Sequence, residues 1–270
     1  MTHRKELKNK KRIVIKIGSS SLTHAGGQLN LLRIEKLARV MTDLHNSGKE
    51  LVLVSSGAIA TGAGKMGIDK KPDDKIKKQA LAAIGQAELI KIYDKFFEEY
   101  NKTVAQVLLT KDGLENSIRR TNARNTLNEL ISMGIIPVIN ENDTVSTDEI
   151  EFGDNDTLSA IVATLINADL LIILSDIDGM FTSDPAVNKT AELISKVVDI
   201  EEDIERFIFS NNSAFGTGGM ASKIAAARHC AEKNIDMVIT NGADPNNIYN
   251  VLEGKEIGTL FLSKKTASNF

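Results

Sequence analysis

Two clusters of acids and amides stand in the middle of the chain, Asn140-Glu141-Asn142-Asp143 and Asp154-Asn155-Asp156. The first closes an apolar run that reads as a strand, and the second opens an apolar helical run. A helix N-cap employs one side chain. A collection of carboxylates and amides at a strand-to-helix passage points further, to caps plus a ligand carrying amines, phosphates or a metal. Two lysines extend the set. Lys16 lies in "RIVIKI", a strand otherwise apolar on both faces. An ammonium there either snorkels to water or meets an anion at the strand end. Lys223 lies one turn inside a helix opened by Gly216, Gly218 and Gly219. Helical side chains lean toward the N-terminus, so Lys223 can reach back over that loop. Two ammoniums, glycine loops with free N–H groups and an orienting carboxylate are the parts of a phosphoryl-transfer site, where the protein positions and neutralises. Lys16 and Lys223 are the expected clamp and Asp156 their organiser. No base is needed if the acceptor is already a carboxylate.

Other strand ends carry compatible chemistry. Gly18 and Ser19 follow the first strand and let backbone N–H groups approach an anion. Ser56 and Gly57 follow the second, where a small-residue turn enters a helix: either a plain cap or an anion site. Ser175 and Asp176 end the fifth, before "DG" and "DP" turns that suit a base or ribose and equally suit a surface loop. Two segments, "GAGKMG" (62–67) and "GTGGMA" (216–221), fit the dinucleotide pattern. Neither directly follows a strand, and the fingerprint requires that context. A nicotinamide enzyme is therefore disfavoured.

These residues need a scaffold that brings strand ends together. Six short apolar runs alternate with longer helical patterns: 12–17, 50–56, 103–109, 135–140, 170–175 and 236–240. Runs apolar on both faces belong to a parallel sheet covered on both sides. Helical periodicity occupies 29–48, a segment from near Asp73 to Tyr100, 121–134 and 219–234, with Gly48 and Gly134 as stops. The expected class is α/β, a mostly parallel twisted sheet between helices, with ligands beyond the carboxyl ends of the strands. The segment "TVSTDEIEF" alternates like a hairpin that would return the second acid cluster over the same ends. One continuous domain is the simplest organisation, with lobes of about 11–165 and 166–265 meeting over a cleft.

Bulk properties exclude several classes. The 270 residues carry 33 Lys plus Arg and 36 Asp plus Glu, a net charge of −3, which speaks against nucleic-acid binding. The basic stretch His3 to Arg12 reads as a solvated tail. The single Cys230 permits no internal disulfide and sits in a helical context that suggests a packed thiol. No apolar run reaches the length of a membrane span and no signal-peptide core opens the chain, so cytoplasm is the default.

The chain resembles the glutamate 5-kinase family of the amino-acid kinase (carbamate kinase-like) superfamily. The resemblance rests on "VIKIGSSSL", "LVSSGAIATG", "LAAIGQAELI", "QVLLTKDGLENSIRRTNARNTL", "PVINENDTVSTDEIEFGDNDTLSA", "LLIILSDIDGMFTSDP", "GTGGMASKIAAA" and "GTLF", nearly the whole chain in family order. It implies the three-layer fold of that superfamily and ATP-dependent phosphorylation of the L-glutamate γ-carboxylate, the opening step of proline synthesis. It implies Lys16 and Lys223 as phosphoryl-stabilising lysines and Asp156 as their organiser. Ser56, Gly57, Asp143 and Asn155 stand at the glutamate contacts, with Asn140 and Asp154 beside them. Gly18, Ser175, Asp176 and the loop Thr217, Gly218, Gly219, Met220, Ala221, Ser222, Lys223 stand at the nucleotide site. ATP is implied with Mg²⁺ carried mainly by its phosphates, and with it proline as a feedback inhibitor and a homo-oligomer, dimer or tetramer. Gly18-Ser19-Ser20 replaces the double glycine of acetylglutamate kinases and aspartokinases, and Ser175 and Phe181 stand where relatives often have Thr and Tyr. Many relatives add a C-terminal PUA domain; the expectation here is a short form without it. Other carboxylate or carbamate kinases of this fold, and a silent glutamate- or nucleotide-binding sensor, are the competing readings.

Overall fold

Apolar β-branched runs become strands here because helices cover both of their faces. The computed structural model describes residues 3–24, 26–68, 72–145, 155–185, 187–203 and 219–267. The first half contains α1 (His3–Glu6), a 3-10 turn (Leu7–Asn9), β1 (Arg12–Ile17), α2 (Ser19–Leu22), α3 (Leu31–Asn46), β2 (Glu50–Ser55), α4 (Ala58–Lys65), α5 (Lys75–Glu98), β3 (Val104–Leu109), α6 (Lys111–Glu115), α7 (Ser117–Ser132) and β4 (Ile136–Glu141). The second contains α8 (Asn155–Leu165), β5 (Leu170–Ser175), β6 (Lys196–Val197), α9 (Gly219–Glu232), β7 (Asp236–Asn241), α10 (Asn247–Leu252), β8 (Thr259–Phe261) and α11 (Lys264–Ala267). The strands form one eight-stranded sheet in the order β3-β4-β2-β1-β5-β7-β8-β6. Every pairing is parallel except β7 with β8. The order turns outward on both sides of β1, so the carboxyl ends of β1, β2, β4 and β5 border one crevice.

The two-residue side-chain period sorts the core into two layers. Ile13, Ile15 and Ile17 of β1 join Leu51, Leu53, Leu170 and Ile172 on the face covered by α3 and α5. Val14 joins Val52, Val54, Leu171 and Ile173 on the face covered by α8 and α9. Lys16 has the parity of Val14. Alternation therefore carries its ammonium toward α8 and α9.

Local signals set the boundaries. Asn30, Asp74 and Asn116 accept backbone N–H bonds from Arg33, Lys77 and Ile118 as N-caps. Gly48 and Gly134 end their helices with φ of 92° and 73°, in the left-handed region that favours glycine. The structure departs from expectation at the N-terminus. Residues 3–9 are helical rather than a solvated tail, with Arg4 and Leu7 buried. Arg4 donates to the carbonyls of Ser195, Lys255, Ile257 and Gly258. A locally basic string conceals such a partner because the acceptors are backbone groups far away in the chain. Strands β6 and β8 are too short to leave a periodic signal. Among the described residues no helix is long and apolar enough to cross a membrane.

Candidate active site

Asp156 is fully buried and receives two cations. Lys16 Nζ lies 2.7 Å from Oδ1 as a close ion pair. Lys223 Nζ donates to Oδ2 at 3.1 Å, and Ser222 Oγ donates to the same oxygen at 3.0 Å. Lys16 and Lys223 are themselves only 2% and 5% exposed, so the contacts form away from bulk water. Burial pushes the Asp156 carboxyl upward, but the charges of Lys16 and Lys223 outweigh it and hold the group below the ordinary carboxylate range. By sequence Asp156 is an acceptable N-cap. In the structure α8 already begins at Asn155, and both Asp156 oxygens are engaged by side chains of β1 and α9.

Lys223 also donates to the Gly219 carbonyl at 3.0 Å, the backward reach over its own first turn that a helical lysine near an N-terminus can make. The Ser222 hydroxyl also lies 3.1 Å from this carbonyl, so its single proton is shared between it and Asp156 Oδ2. Met220 packs against the core and Ala221 is exposed. Thr217, Gly218 and Asp154 lie outside the described residues, as do the hairpin-like 146–152 and Gly216.

A second network adjoins the first through Asn155, the residue before Asp156. Asn155 Nδ2 faces the Ser55 carbonyl at 2.8 Å, Ser56 Oγ at 3.0 Å and Asn140 Oδ1 at 2.7 Å. Two protons are thus shared among three protein acceptors, so the amide nitrogen is spent on the scaffold. Because Ser56 Oγ accepts, its own proton remains to be donated elsewhere. Gly57 follows with φ 93°, where a side chain would be strained, and starts α4 beside the cradle. Asn140 Oδ1 also accepts from Glu141 N–H at 2.9 Å. Asp143 stands half-buried in the turn beyond β4, three residues past Asn140.

The remaining predicted positions also stand at the carboxyl ends of strands. Ser175 ends β5, buried, and its hydroxyl donates to the exposed Asp176 at 3.1 Å. Gly18 differs from expectation in one respect: its N–H is taken by the Leu174 carbonyl at 3.2 Å rather than left open to an anion. "GAGKMG" lies within and just after α4, without a preceding strand. Sequence reasoning did not single out Ser55, Gln86 or Tyr93, which brace the cradle from behind. Their signal is present as polar residues on the apolar face of a long helix and at the end of a strand. Among the described residues no cluster of three or more His, Cys, Asp or Glu side chains could hold a metal ion. The arrangement can orient two ammoniums toward a shared anion, and present a hydroxyl, amides and a helix start beside it.

The chain is similar to known proteins over nearly its whole length. The model of the family described as "Amino acid kinase family" matches residues 11–241. The chain is 52% identical to a glutamate 5-kinase of Clostridium perfringens (strain 13 / Type A), over 97% of this chain and 99% of that protein. It is 51% identical to a glutamate 5-kinase of Listeria monocytogenes serotype 4b (strain CLIP80459), over 97% and 96%. Among solved structures, UMP kinase from Bacillus anthracis superposes with a TM-score of 0.64 at 20% identity, covering 94% of this chain and 97% of that one. UMP kinase from Ureaplasma parvum also superposes at 0.64, with 19% identity, and these two establish likeness of fold.

Proposed function

The chain belongs to the amino acid kinase family, in its glutamate 5-kinase branch, and from that premise we propose how its crevice works. The reaction is transfer of the γ-phosphoryl group of ATP to the γ-carboxylate of L-glutamate. A carboxylate oxygen forms a bond to the γ-phosphorus as the bond from phosphorus to the β,γ-bridging oxygen breaks. L-Glutamyl 5-phosphate and ADP result, and no proton moves because the acceptor is already ionised. This acyl phosphate opens proline synthesis.

The observation that carries the reading is the pair of buried ammoniums, from β1 and α9, meeting at Asp156. Lys16 and Lys223 neutralise the charge spread over the travelling phosphoryl oxygens, where a water-poor site makes each contact count for more. Asp156 keeps both aimed. Its two oxygens are occupied by the lysines, so it is poorly placed as a metal ligand; Mg²⁺ enters with the nucleotide, as part of the substrate. Ser56 Oγ–H, the Gly57 N–H and the start of α4 receive the α-carboxylate of glutamate. Asp143 and the Asn155 carbonyl oxygen receive its ammonium, with Asn140 and Asp154 adjacent. Gly18, Ser175, Asp176 and residues 217–223 border the nucleotide. The glutamate lobe is about 11–165 and the nucleotide lobe about 166–265, a division that follows the crevice. Proline as feedback inhibitor, a dimeric or tetrameric assembly and a place in the cytosol belong to the same reading.

Trapping the acyl phosphate with hydroxylamine tests it. The wild-type chain with Mg²⁺ and ATP should yield hydroxamate from glutamate, and not from aspartate, acetylglutamate or carbamate. Hydroxamate from aspartate alone, or tight binding of ATP and glutamate without ADP release, would overturn it.

A further inference from the structure

The acidic turn after β4 and the serine turn after β2 come from separate strands, yet both must be held to fractions of an ångström to read one small amino acid. Helix α5 touches both. At one point Gly85 brings its backbone against α4: a Cβ there would overlap the Ala58 carbonyl, and a Cβ on Gly62 would overlap that of Leu81. The next residue, Gln86, is 6% exposed and donates its Nε2–H to the Glu141 carbonyl at 3.1 Å. Two turns on, along the same face, buried Tyr93 shares a hydrogen bond of 3.0 Å with Ser55 Oγ. Ser55 in turn offers its carbonyl to Asn155.

The backbone of Glu141 is thus held on both sides of its Cα, its N–H by Asn140 Oδ1 and its C=O by Gln86. The following N–H, of Asn142, is tied to the Leu109 carbonyl at 2.8 Å. Together these bonds set the direction in which the chain leaves β4 for Asp143.

We propose that Gln86 is a positioning residue for glutamate: through the Glu141 carbonyl it aims the Asn140–Asp143 turn, while Tyr93 holds the opposing Ser55–Ser56 limb from the same helix. This rests on the reading of the crevice as a glutamate site. The consequence is specific to one substrate. Gln86 lies on the α3/α5 side of the sheet, whereas Lys16, Lys223 and Asp156 meet on the α8/α9 side. Loss of the amide donor should disturb glutamate and leave the nucleotide alone.

The experiment is steady-state kinetics on Gln86→Met, which keeps length and volume but removes the donor. The expected result is a KM for glutamate raised about five- to tenfold, the scale of one lost neutral hydrogen bond. The KM for ATP and kcat should stay within about twofold, and the melting temperature should stay close to wild type, as for a volume-conserving exchange. An unchanged glutamate KM, or equal rises for both substrates, overturns the proposal, because a residue that only packs would give one or the other. If Gln86→Met does not fold, Gln86→Asn, which draws a neutral amide back by one methylene, must show the same split. A wild-type chain inactive on glutamate would instead defeat the functional reading; an active wild type with an indifferent Gln86→Met defeats this inference alone.

Discussion

At the amino-terminal ends of the strands, charges are stitched pair by pair. Arg12, the first residue of β1, reaches Glu50, the first of β2, at 2.6 Å, and also donates to Asn128 Oδ1 and the Ile166 carbonyl. Asp169, just before β5, accepts the backbone N–H groups of Lys11 and Arg12 at 2.9 Å. Asp236, the first residue of β7, pairs with Lys10 at 2.6 Å and accepts from Ser263 N–H at 2.8 Å. At the carboxyl ends the pattern changes: one buried acid serves two buried ammoniums from β1 and α9. The first region ties strand starts together and keeps at least one member of each ion pair in partial contact with water: Arg12 and Glu50 are each 26% exposed and Lys10 is 21% exposed, while its partner Asp236 is buried. The second removes its charges from water and aims them at the crevice beyond the strand ends. Burying ions is costly, and a well-packed apolar substitute is often at least as stable. A buried triad is better explained by what it binds than by what it stabilises.

Substitutions can break that contrast. Lys16→Ala or Lys223→Ala should lower kcat by roughly 10²–10³-fold, the scale of losing one preorganised donor to a developing charge. Removing one partner also leaves buried charge less compensated and lowers stability, so ADP release is measured beside thermal melting, at a temperature where the variant is folded, to separate the two. Near-wild-type kcat in either variant would remove the two-lysine clamp. Asp143→Ala should come next, raising the glutamate KM by about tenfold, the order expected for one charged contact, with ATP binding unchanged. An unaltered glutamate KM there argues against a substrate contact. Arg12→Ala should show the reverse of the lysine result. Its kinetic constants should match wild type, while urea denaturation reports a loss of about 1–2 kcal/mol from its partly exposed bonds. A kinetic defect of similar size to that of Lys16→Ala would erase the difference between the two regions.

The smallest effect concerns pH. Asp156 has a depressed folded-state pKa, so its contribution to stability is complete above its unfolded pKa, about 4, and is lost only as pH falls through the lower folded value. Glu50 follows the same sign: burial opposes ionisation, and hydrogen bonds and charges from Arg12 and Lys11 prevail. Between pH 5 and pH 8, roughly, neither group should titrate. A kinetic ionisation inside that window that disappears in Asp156→Asn would show that the triad is not permanently charged.

Much of the scaffold was legible because its signals are local. All six apolar runs became strands within a residue or so of their expected ends, since an apolar run flanked by caps and turn glycines has few other stable uses. The positions of Lys16, Ser56, Asn140, Asp156, Ser175 and Lys223 at strand or helix ends followed from the same pattern. Several features were not legible. The helical N-terminus is tied down by Arg4, which finds the carbonyls of residues 195, 255, 257 and 258. The antiparallel β8 has three residues, too few for a period. Gln86 and Tyr93 read as interruptions of an apolar face, because their partners Glu141 and Ser55 lie on other strands.

From its sequence alone the chain's alternation of strands and helices was determined, together with the residue types at the strand ends, because side-chain periodicity and capping act over a few residues. Only the tertiary structure decided that Lys223, 67 positions beyond Asp156, shares that carboxylate with Lys16. The deciding facts are the sheet order and the parity of position 16 on β1. Neither is encoded in any short stretch: strand order follows from which faces must be buried together, and only that burial gives the two ammoniums a common direction.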